Sequence, residues 1–129
     1  MEIYAELRIT AEILDLETIT RSIGMKPSVS WKTGDFIHAG KGIHKLSRWA
    51  VRTPVLTTLD VLEAIKQLKT MTYDKAGLFA RVAGQNGGKL EVACAITHGS
   101  TTTHPALWID LETIQWLGTI GAALDIDII

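Results

Sequence analysis

The pentapeptide Asp-Leu-Glu-Thr-Ile stands twice in the chain, at residues 15–19 and 110–114. Each copy follows a strand-like run and opens a helix-like run. An aspartate in that place can accept a hydrogen bond from a free amide of the first helical turn. A glutamate in the same turn favours the positive end of the helix dipole, and Leu and Ile three apart begin an apolar stripe. The repeat therefore marks two strand-to-helix corners, one near each end of the chain. It predicts that both helices lie on the same face of one sheet. Any such corner has these needs, so the repeat speaks to architecture and not to chemistry.

Alternation supplies the sheet. Ile3, Ala5, Leu7 and Ile9 point one way, and Glu2, Tyr4, Glu6 and Arg8 the other, which is a strand with one buried face. The first helix carries Leu16, Ile19 and Ile23 and stops at Gly24, with Pro27 beyond it. Spacing predicts strands over 31–38 and 46–53, and helices over 58–69 and 74–83. It predicts further strands over 90–98 and 106–109, a helix from the second repeat to about 123, and a last strand over 125–129. Gly34, Gly40 and Gly42 with Lys41 and Lys45 mark a basic loop. The expected object is one α+β domain over 1–129. Its sheet is mainly antiparallel or mixed, with three to four helices on one face and ferredoxin-like βαβ elements.

Composition narrows the setting. With 129 residues, 47% of them hydrophobic, the chain can build a core without metal or disulfide staples. Cys94 is the single cysteine, which fits a reducing compartment. A net charge of −1 gives no field to gather nucleic acid or anionic lipid. The first ten residues lack the basic and apolar regions of a secretion signal, and no run approaches the roughly 20 apolar residues of a membrane span. A cytoplasmic bacterial domain is expected, with no nucleic-acid or membrane partner.

Several segments have a familiar order. Ile23-Gly24 closes a helix, Pro27-Ser28 follows, and Gly34 comes later. Trp49 stands in the strand-like SRWAVRT, and Gly121 and Asp127 sit in the closing helix and strand. In this order and spacing, over nearly the whole chain, they resemble the bacterial family called domain of unknown function 4279. The resemblance implies a fold-sized unit and carries no activity, cofactor or catalytic residue.

Three groups of residues invite a chemical reading. His38 and His44, and likewise His98 and His104, are six apart in loops, without the third and fourth ligands that a metal needs. Around AGKG the phosphate-loop spacing fails, because Gly34 precedes Gly40 by one residue too many and Gly42 replaces the hydroxyl residue. Cys94 and His98 invite a nucleophile and base. Residues four apart on a strand lie about 13 Å apart, and a cysteine on an apolar face is unreactive. No metal, cofactor or catalytic residue is expected.

The face opposite the core is the better candidate. If Ile3, Leu7, Trp49, Val51, Leu90, Val92, Leu107 and Ile109 face the helices, the other face carries Tyr4, Glu6, Arg8, Arg48, Arg52, Ala93, Ala95, Trp108, Asp125 and Asp127. Tyr4, Arg8, Arg48, Arg52, Trp108, Asp125 and Asp127 are the candidate binding residues. Aromatic and Arg side chains among alanines suit recognition, while cross-strand ion pairs on a wet sheet face are the plainer alternative. The closing helix is apolar on most sides and needs cover from the domain or from a second copy. The leading expectation is a non-enzymatic interaction module, self-associating or bound to another protein, of immunity type. The alternative is an anion or small-ligand binder, or an enzyme, using Arg48 and Arg52.

Overall fold

The computed structural model describes residues 1–97 and 104–129. Strand β1 (Glu2–Ala11) leads to α1 (Leu16–Ile23), then β2 (Val29–Trp31) and β3 (Ser47–Arg52). Helices α2 (Val61–Thr72) and α3 (Ala76–Gln85) follow, then β4 (Lys89–Thr97), α4 (Leu111–Ile120) and β5 (Ala123–Ile128). The strands form one sheet in the order β2-β3-β1-β4-β5, parallel only between β4 and β5. This is an α+β fold. The β1–α1–β2 unit is split by β3, the ferredoxin-like arrangement, and β4–α4–β5 adds a parallel βαβ unit.

The two repeats build matching helix ends. Asp15 Oδ1 accepts from the Thr18 amide at 3.1 Å, and Asp110 Oδ1 from the Thr113 amide at 2.8 Å. Both helices end on a left-handed glycine, Gly24 or Gly121, where a side chain would be strained. The repeats differ in what precedes them. α1 follows β1, but no strand forms over 106–109. There Ala106 is tied to the start of α2, bonding Leu59 O and accepting from the Val61 amide. The sheet position beside β4 is already taken by β5.

One core lies between sheet and helices. It joins Ile3, Leu7 and Ile9 of β1, Ile19 and Ile23 of α1, Ile65 and Leu68 of α2, Phe79 of α3 and Leu117 and Ile120 of α4. Trp49 of β3 is fully buried in it, tilted against Phe79 at 5.7 Å, with its Nε1 donating to Thr20 Oγ1 at 2.9 Å. That bond satisfies the indole and ties β3 to α1. Leu107, expected in the core, is exposed because its strand does not form.

Two other boundaries shift for local reasons. The strand expected over 31–38 ends at Trp31, because Asp35 takes the Lys32 amide at 2.8 Å and turns the chain. Gly34, Gly40 and Gly42, all at positive φ, then shape a hairpin in which Phe36 pairs with Ile43. α2 begins at Val61 because Asp60 caps it, accepting from the Leu62 amide at 3.0 Å. No described helix is long and apolar enough to cross a membrane.

Capping hydrogen bonds hold the Asp15 and Asp110 carboxyls below their ordinary value of 3.8. A depressed folded pKa contributes stability above 3.8 that is lost as pH falls through the folded value. Asp15→Ala and Asp110→Ala should each lower the urea midpoint at neutral pH. Each variant should also lose less midpoint than the parent when titrated into acid. Gly88 is a steric test, since a Cβ there would stand 2.9 Å from Ile9 Cγ2 and 3.3 Å from Thr10 O. Gly88→Ala should cost about 1–3 kcal/mol by urea denaturation.

Candidate functional site

Register places the open face in rows. Residues paired across strands share a side, so Arg52, Glu6, Ala93 and Asp125 form one row. Ala50, Arg8, Glu91 and Ala123 form the next, and Trp31, Arg48, Thr10 and Lys89 the one beyond. On the other side of the first row lie Tyr4, Ala95 and Asp127. Six of the seven candidate residues therefore share this face. Trp108 does not. It lies outside the strands at 68% exposure, because the segment that would have carried it into the sheet stays a loop.

Arg8 is the centre. Its Nη2 donates to Asp125 Oδ2 at 2.7 Å, its Nε lies 3.5 Å from Glu91 Oε1, and its Nη1 lies 3.8 Å from Glu6 Oε1. Arg52 Nη2 reaches the same Glu6 oxygen at 3.5 Å. The two guanidiniums cover Glu6, which is only 3% exposed although no helix packs on this side. Only the contact with Asp125 is a hydrogen bond. Glu6 Oε2, Arg8 Nε and Arg52 Nε are buried without a hydrogen-bond partner among the described residues. The cluster is thus held by charge more than by directed bonds, and losing one member leaves the others costly. Glu91 belongs to it, and the alternation that puts Ala93 and Ala95 on this face was the signal for it.

Two arginines of this face rest on aromatic rings. Arg52 lies over Tyr4 at 4.3 Å, and Arg48 over Trp31 at 5.0 Å. Trp31 stacks on His44 at 4.1 Å and donates to Leu46 O at 3.0 Å. Arg48 Nε reaches Thr10 Oγ1 at 3.5 Å, and no described carboxylate comes within ion-pair distance of Arg48. Burial, and then the charge of Arg8, push its pKa down from the ordinary arginine value. The face is therefore dipolar. Arg48 and Arg52 stand on β3, Asp125 and Asp127 on β5, and Ala93 and Ala95 form a low floor toward β5. A cavity of about 370 Å³ opens at its end, lined by Thr10, Glu12, Leu46, Gly87, Lys89 and Glu91 and not by Arg48 or Arg52.

The other candidate chemistry is placed as follows. Cys94 is buried on the core face, and desolvation pushes its thiol up to about 11. His98 lies outside the described residues. Among the described residues no three His, Cys, Asp or Glu side chains gather as a metal site.

Arg8→Ala should be the most damaging change on this face, costing about 2–4 kcal/mol by urea denaturation, because it uncovers Glu6. Arg48→Ala, which loses a ring contact and no ion pair, should cost about 1 kcal/mol or less.

No curated protein and no solved structure matches the chain. A family model does, over residues 1–129. Its description names no activity. The chain belongs to the family described as Domain of unknown function (DUF4279).

Proposed function

We propose that this is a non-enzymatic binding module whose recognition surface is the open sheet face. The observation that carries the reading is the dipolar pattern there, with Arg48 held against Trp31 and unmatched by any carboxylate among the described residues. Arginine and aromatic side chains fixed by packing lose little entropy on binding and are frequent energetic anchors of interfaces. Tyr4, Arg8, Arg48, Arg52, Asp125 and Asp127 are the binding residues of this reading. Trp108 joins only through a partner large enough to reach beyond the sheet. The partner is a protein, another one or a second copy. The specific version is an immunity-type protein of the bacterial cytoplasm that blocks a toxin encoded beside it, an analogy at the level of fold.

A second reading has one observation in its favour. An arginine without a carboxylate, beside a threonine hydroxyl and an indole, suits a small anion. Inorganic phosphate separates the two. Saturable binding abolished by Arg48→Ala favours the small-ligand reading.

For the leading reading, the product of the adjacent gene is titrated calorimetrically into the parent and into Arg48→Ala/Arg52→Ala. The double variant should bind about 100-fold more weakly, with an unchanged circular dichroism spectrum. Unchanged affinity, or a locus without any toxin or effector gene, counts against it.

A further inference from the structure

We propose that the free edge of β5 is a docking strand for an extended segment of a partner protein in which basic and apolar side chains alternate. The inference goes beyond the open-face reading, since it needs the β5 backbone and not the arginines of β3. β5 is the last strand of the sheet, paired with β4 on one side, and no described residue pairs with its other side. The outward N–H and C=O groups of such a strand are a template for another chain. β5 reads ALDIDI, without lysine, proline or a bulge, and the charges that guard this edge are two aspartates, which disfavour acidic strands and not basic ones.

The side chains of β5 say what would sit there. On the open face Asp125 and Asp127 are two apart, the repeat of an added strand. On the helix side Leu124 and Ile128 are exposed, the latter at 55%, and α4 just before them leaves Leu111 and Ile114 exposed as well. An incoming strand with basic residues on one side and apolar residues on the other satisfies both.

Charge selects between occupants. Residues 104–129 contain Asp110, Glu112, Asp125 and Asp127 and no Lys or Arg. Lys66, Lys69 and Arg8 answer the first three at 3.3, 3.3 and 2.7 Å. Asp127 has no ion pair among the described residues. A second copy paired antiparallel about Ile126 would set Asp125 of each chain opposite Asp127 of the other. Like charges directly opposite are destabilising. A basic strand converts the same positions into cross-strand ion pairs.

The test uses the isotopically labelled full chain and two blocked eight-residue peptides, one alternating Lys with Val and one alternating Glu with Val. The Lys peptide should bind saturably and slow amide exchange along Ala123–Ile128. Asp127→Lys, a change at an exposed side chain, should weaken the Lys peptide about five- to tenfold and let the Glu peptide bind. Arg48→Ala/Arg52→Ala should leave Lys-peptide binding unchanged, so a failure of the open-face reading is seen separately. The proposal is overturned by any of three outcomes. These are binding insensitive to Asp127→Lys, exchange that slows elsewhere than β5, and a chain that sediments alone as a dimer with β5 already protected.

Discussion

β1 lies between β3 and β4, and Ile3, Ala5, Leu7 and Ile9 on its inner side are fully buried. Its outer side has no helix over it, yet it carries Glu6 at 3% exposure. A central strand with a buried carboxylate on the uncovered side must bring its own cover, and Arg8 and Arg52 provide it from the same strand and from the neighbouring one. The rest of the face follows from that need. Arg8, drawn over Glu6, also reaches Glu91 and Asp125, so four of the five strands are stitched electrostatically on the side away from the core. Arg48, placed beside the Arg8 charge, turns to the Trp31 ring.

Such a cluster is not an efficient source of stability. Buried ions lose hydration that their attraction only partly returns, and an apolar replacement of similar volume is frequently as stable. The stability of the domain comes from the other side, where Trp49 and Phe79 fill the space between sheet and helices. What the cluster provides is a fixed pattern of charge on a rigid backbone. In the proposed binding role, that pattern is what a partner would recognise.

Much of this was legible in the sequence because it depends on short-range periodicity. Alternation in β1, β3 and β4 identified the inner and outer residues, and the two aspartate caps located α1 and α4. Local turns and caps moved two boundaries, and the largest error falls where a segment's partner lies far along the chain. Residues 106–109 are a short apolar run that reads as a strand, but Asp60 pairs with Ala106 and Trp108 stays in a loop. Periodicity says nothing of who pairs with whom. Nor did it reveal that the closing helix buries only Thr113, Leu117 and Ile120, leaving Leu111 and Ile114 in solvent.

The pairing of β1 with β4 has a consequence for the order in which the chain is made. β1 leaves the ribosome well before β4, the strand that covers its second edge, which begins only at Lys89. Until then one edge of β1 has no permanent neighbour, and the carboxylate of Glu6 is covered by Arg8 and, later, by Arg52. Contacts so distant in sequence are closed late and slowly. The charges on the outer side of β1 thus serve the nascent chain before they serve the folded one. They make the early strand amphipathic, so that its outer side stays in water while β4 is still being made.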